Sequence, residues 1–170
     1  MEKKFRTLRA NEIDVRVAKI KEKGLSLLLY KDARVDMNIL DETVGSENWQ
    51  RRHYECKGNL FCSVGIRNDK NEWIWKDDAG AESYAEKEKG EASDSFKRAC
   101  VNWGIGRELY TAPFIWVPAD KATIETYKGK LICHDKFWVG KIIIDDATRQ
   151  ITALAIDNKK CHAFVWQAKK

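Results

Sequence analysis

The sequence predicts an α+β fold: an antiparallel β-meander packed against a long amphipathic helix, with an additional β region toward the C-terminus. Three stretches carry that prediction. From Asn48 to Lys76 the pattern has period two, in three runs separated by the turn chemistries Lys57-Gly58-Asn59 and Asn68-Asp69-Lys70-Asn71. From Glu86 to Gly104 the period lengthens, and Ala92, Phe96, Ala99 and Trp103 fall at i, i+4, i+7 and i+11, one apolar stripe on a 3.6-residue helix. From Phe137 to Trp166 apolar-rich runs return, divided by Asp145-Asp146-Ala147-Thr148 and Asp157-Asn158-Lys159-Lys160.

The remaining elements follow from local signals. Asn11 ahead of Ile13, Val17 and Ile20 predicts an N-capped amphipathic helix with a lysine-rich outer face, ended by Gly24. Leu25 to Tyr30 is too short an apolar run for a helix and predicts a buried strand. Arg34 to Val44 predicts a second helix with Val35 and Ile39 inward, closed by Gly45. In the meander's first strand, Trp49, Arg51, His53 and Glu55 share one face and Gln50, Arg52, Tyr54 and Cys56 the other, so Arg51 and Arg52 point oppositely. Glu82, Glu86 and Glu88 gather near the start of the organising helix, where its dipole favours negative charge. Gly104 supplies the stop. Leu109 to Pro118 predicts an irregular connection, and Pro118-Ala119-Asp120 opens a short polar helix to about Lys128.

Composition bounds the function. The chain has 170 residues, 44% hydrophobic and 34% charged, with two prolines, which fits one compact domain over residues 1–170 and excludes a disordered chain. No run approaches the ~18 apolar residues of a membrane span, and the charged start lacks an export signal, so a cytoplasmic protein is expected. Cys56, Cys62, Cys100, Cys133 and Cys161 are an odd set without C-x-x-C spacing, which predicts reduced thiols. A net charge of +5 allows nucleic acid as a partner without demanding it.

On the organising helix, Lys89, Ser93 and Lys97 recur every four residues. Each stands about 40° round from the last, making a narrow cationic and hydroxyl ridge beside the apolar stripe. A solvated helix face shows the same periodicity. The run KGEASDSFKRA from Lys89 to Ala99, followed by Trp103-Gly104 and Leu109-Tyr110, resembles the signature helix of the Rad-fifty-two family of single-strand annealing proteins, and more closely its phage and prophage relatives. The likeness extends upstream through Tyr30-Lys31-Asp32-Ala33-Arg34-Val35 and Val44-Gly45 to Trp49. It covers roughly residues 25–115, leaving 116–170 as a C-terminal helix and β-meander extension.

The resemblance implies that the protein binds single-stranded DNA and anneals complementary strands in homologous recombination and DNA repair. It implies no ATP, no cofactor and no bond chemistry, and assembly into an oligomeric ring or helical arc. It carries Lys89, Ser93 and Lys97 over as phosphate contacts, with Arg34 at the start of its helix and Arg98. Arg51 and Arg52 are weaker candidates, since only one can face the same groove. Val101 stands where the family often has another basic residue. Partners implied beside the strand and further copies are a host or phage single-strand binding protein or exonuclease. If the chain is phage-encoded, the place is the bacterial host cytoplasm.

Two other classes fit parts of the sequence. Glu55-Cys56-Lys57 matches the E-x-K half of a Mg²⁺-dependent nuclease site, with Asp36 or Asp41 as the upstream carboxylate. A non-annealing DNA-end or RNA-binding scaffold would need the basic residues alone. The pairs Cys133-His134 and Cys161-His162 suggest zinc, but adjacent strand residues point to opposite faces and do not converge easily.

Overall fold

The computed structural model describes residues 4–81 and 87–169, with the side chains of 87–89 excepted. In chain order the strands and helices are β1 (Asp14–Lys21), β2 (Gly24–Tyr30), α1 (Ala33–Val44), β3 (Trp49–Cys56), β4 (Asn59–Arg67), β5 (Trp73–Ala79), α2 (Lys87–Asn102), β6 (Ile115–Pro118), β7 (Ile124–Tyr127), β8 (Lys130–Cys133), β9 (Trp138–Ile144), β10 (Ile151–Asp157) and β11 (His162–Gln167). All strand pairs are antiparallel, so the chain is α+β as predicted. The elements form two compact units, one of residues 4–6 with Asp32–Arg107 and one of Thr7–Lys31 with residues 108–169.

The first unit is the predicted meander with its helices. Asp32 caps α1 by accepting the Arg34 backbone N–H at 2.8 Å, and Gly45, at φ 85°, ends it. Ile39 and Leu40 are the apolar side chains that α1 buries completely. Strands β3 and β4 turn through Lys57-Gly58, both at positive φ, the two-residue hairpin whose twist matches the flanking strands. Helix α2 packs across β4 and β5. Cys62, Val64 and Ile66 are buried on the inner side of β4, and α2 buries Phe96, Ala99 and Cys100, while Ala92 and Trp103 at the ends of the predicted stripe are half-buried. The Trp103 indole N–H donates to the Val64 carbonyl at 3.0 Å, which fixes the helix end on the sheet. The Glu82 and Glu86 of the expected acidic start lie outside the described residues, as does the Glu88 side chain.

The second unit departs from the sequence reading in three places. Residues 11–23 are not a helix: a short 3₁₀ turn at Ala10–Glu12 leads into strand β1, which pairs with β2. The register shifts between Val17 and Lys19, a bulge that moves the inward side of the strand by one residue. Buried Ile13 just ahead of the strand, with Val17 and Ile20, thereby falls at i, i+4 and i+7, a spacing that imitates a helical stripe. The polar helix to Lys128 is likewise absent. Ala119–Lys121 makes a single 3₁₀ turn, and β7 pairs with β8 through Lys128-Gly129, again two residues at positive φ. The connection after α2 also contains a strand, β6, which pairs with β2.

The unit's main sheet has the order β11-β10-β9-β1-β2-β6, joining the early hairpin to the three predicted C-terminal strands at the Asp14–Trp138 pair. Its end strands β6 and β11 come alongside each other, so the sheet curls round a core that includes Leu25, Leu27, Ile115, Val117, Leu154 and Ile156. Buried Glu108 accepts from the Leu8 backbone N–H at 2.6 Å and pairs with Arg149 at 3.0 Å, so its charge is hydrogen-bonded rather than stranded. Among the described residues, no helix is long and apolar enough to cross a membrane.

Candidate nucleic-acid interface

The first unit gathers several of the predicted contact residues around the start of α1 and the middle of α2. Arg34 folds back on its own cap, its Nε and Nη2 donating to the two oxygens of Asp32 at 2.9 and 3.1 Å. These side-chain hydrogen bonds, helped by the Arg34 backbone N–H and by the nearby charges of Arg34 and Lys97, hold the Asp32 carboxyl down at about 2. The charge of Lys97, on α2, is the smallest of these influences on Asp32. Two of the five guanidinium donors of Arg34 are spent on this carboxylate. The rest of the Arg34 side chain is open, 84% exposed.

Arg51 approaches α2 from β3. Its guanidinium lies over the Phe96 ring, 4.6 Å from the centroid, and Trp49 stacks on the same ring at 6.1 Å. His53, two residues on along the same face, bonds through Nε2 to the Ala92 carbonyl at 3.1 Å. Arg52 faces the other way, over Trp75 at 3.9 Å. The alternation read from the strand is thus what separates the two arginines. Ser93 and Lys97 are both half-buried. The Lys89 side chain lies outside the described residues.

Arg98 is one step, hence about 100°, round the helix from Lys97. It pairs with Asp78 on β5 at 3.3 Å, beside Asn102, which donates to the Asp77 carbonyl at 2.8 Å. The i−4 partner that sequence spacing offers, Asp94, instead accepts the Ala81 backbone N–H at 2.9 Å. Sequence reasoning also passed over Asp32, whose position just before Arg34 at a helix start is a recognisable capping signal. It passed over Lys76, which donates to the Asn102 carbonyl at 2.9 Å and lies 4.5 Å from the Trp103 ring centroid. Nothing local in the sequence ties Lys76 to α2.

The residues of the nuclease alternative are engaged separately. Asp36 is fully buried in α1, Asp41 accepts the Trp49 indole N–H at 2.6 Å, Glu55 is exposed near the end of β3, and Lys57 sits in the positive-φ turn. Among the described residues no three His, Cys, Asp or Glu side chains gather as a metal site. All five cysteines are free thiols, and burial pushes Cys62 up to about 11, which keeps it unreactive.

The first unit thus lays a helix bearing cations across a three-stranded antiparallel meander, with an arginine at the start of a second helix. Residues 2–127, about three quarters of the chain, match the model of the Rad52/22 family double-strand break repair protein. The chain belongs to the Rad52/22 family, which places it in DNA repair and recombination. The match reaches beyond both ends of residues 25–115, where the sequence motifs lie, and takes in β1 and β7. No curated protein and no solved structure matches the chain.

Proposed function

We propose that the protein binds single-stranded DNA along Arg34, Ser93 and Lys97, with Lys89 continuing the line, and anneals complementary strands without ATP. The observation that carries this reading is the packing of α1 against α2, with Arg34 open at the start of α1 and the charge of Lys97 on α2 felt at the cap residue Asp32, which supports a cationic patch drawn from two helices rather than a solvated face of one. Phosphates neutralised there would leave bases free for pairing, lowering the repulsion and the ordering entropy that oppose two free strands. Arg51 adds a charge from the sheet. Arg98 contributes at longer range, because it is bound to Asp78. The protein acts as a template and makes or breaks no covalent bond.

The copies assemble as a ring or helical arc. A single chain of charge +5 is a weak field for a polyanion, whereas about ten copies sum to on the order of +50. The test mixes protein with labelled complementary single strands, with and without Mg²⁺, and separates annealed, cleaved and untouched products, with light scattering on the same samples. Annealing by a large multimer in both conditions is expected. Cleavage that requires Mg²⁺ would replace this reading with the nuclease, and bound but unannealed strands on a monomer would replace it with a scaffold.

A further inference from the structure

We propose that the outward face of β1, β2 and β6 is a separate binding surface for unpaired nucleic acid, stacking bases on aromatic rings beside a row of basic side chains. Strand register fixes the face. Arg16 stands opposite Leu28, Lys19 opposite Ser26 and Lys21 opposite Gly24, while Ser26 in turn stands opposite Trp116. Cross-strand partners share a side, so these residues look away from the buried Leu25, Leu27, Ile115 and Val117.

The Trp116 indole packs against Gly24, where an added Cβ would overlap the Val117 carbonyl and come within 2.8 Å of the indole. Phe114 stacks on Trp116 at 6.4 Å with 19° between the planes, and it is 76% exposed. Leu28 is 57% exposed, and the Arg16 guanidinium covers Tyr30 at 3.8 Å. A phenyl ring this open, stacked with a half-buried indole, marks a contact surface.

Charge selects the occupant. Arg16, Lys19 and Lys21 outnumber Asp14 along β1, and where the strand turns, Lys21 and Lys23 line an open hollow of about 600 Å³ with Ile20, Trp116, Leu131 and the single acid Glu22. Rings interleaved with cations suit bases and phosphates together. A second copy docking through the same face would set positive charge against positive charge. The surface belongs wholly to the second unit, so the inference stands or falls apart from the α2 reading.

The experiment titrates fluorescein-labelled oligo(dT) into wild type, Phe114→Ala, the pair Lys19→Glu with Lys21→Glu, and Lys97→Ala, and maps ultraviolet crosslinks by peptide mass spectrometry. The side chains altered in β1 and at Phe114 are exposed, so melting temperatures should match wild type and report that folding is intact. Phe114→Ala should weaken binding about five-fold or more, the lysine pair should flatten the salt dependence, and crosslinks should appear on the peptide carrying Phe114 and Trp116, in Lys97→Ala as well. Crosslinks confined to α2 with unchanged Phe114→Ala affinity would overturn the proposal. So would unchanged affinity with a smaller assembly in sedimentation, which would make the face a contact between copies. Loss of the Phe114 effect alone leaves the α2 ridge intact, and loss of the Lys97 effect alone leaves this face intact.

Discussion

Replacing Asp32 by asparagine should tighten single-strand binding while leaving the fold in place. Asparagine caps a helix about as well as aspartate, so the Arg34 backbone N–H keeps its acceptor. What is lost is the ion pair to Arg34, whose side chains are 84% and 43% exposed, so screening limits the cost to about 0.2–1 kcal/mol. The gain comes from the phosphate's side. A carboxylate about 6 Å from a bound phosphate repels it by ~0.7 kcal/mol at the dielectric of water, equivalent to about three-fold in affinity. Freed guanidinium donors can add to that. Fluorescence anisotropy with a labelled oligonucleotide at several salt concentrations reads both quantities, and the log-log slope should steepen by up to ~0.7 if one phosphate contact is gained. Weaker or unchanged binding by a folded Asp32→Asn protein would show that the strand does not pass between Arg34 and Lys97, and the proposed site would be lost with it.

Other outcomes follow from the same geometry. Because folding depresses the Asp32 carboxyl from 3.8 to about 2, its stabilisation is complete above about pH 4 and fades as pH falls toward 2; thermal unfolding across that interval should decline less in Asp32→Asn than in wild type. Phe96→Ala empties a fully buried position and removes the ring beneath Arg51 and Trp49, which should cost about 3–5 kcal/mol by chemical denaturation. Lys97→Ala, one residue on, should change stability by less than about 0.5 kcal/mol yet weaken DNA binding, and the reverse pattern would mean that α2 presents the other face. Gly80→Ala should destabilise the first unit by on the order of 1–3 kcal/mol, since the added methyl overlaps the Glu91 carbonyl where β5 meets α2; an unchanged melting temperature would refute that close approach.

What the sequence determined by itself is whatever one element states within its own length. Helix α1 was legible from the spacing of Val35 and Ile39 and the closing Gly45, the core of α2 from the spacing of Phe96 and Ala99, and the meander from its alternation and the Lys57-Gly58 turn. The same logic fixed Arg51 and Arg52 on opposite faces before any coordinates. The second Lys-Gly turn, at 128–129, carried an equal signal, but Pro118-Ala119-Asp120 ahead of it resembled a helix start and outweighed it. Residues 14–21 misled for a physical reason: a bulge between Val17 and Lys19 breaks the period of two, and the inward side chains then fall where an amphipathic helix would put them.

The tertiary structure alone decided which distant groups meet. That β1 would join the C-terminal strands in one sheet rests on the Asp14–Trp138 pair, and no local pattern announces a partner so far along the chain. That Arg98 would pair with Asp78 and not Asp94, and that the charge of Lys97 would be felt at Asp32, depends on how α2 lies against β5 and α1. Spacing gives a side chain its direction around its own helix; the charge it meets there is set by packing, because Coulomb interactions act across space and not along the sequence.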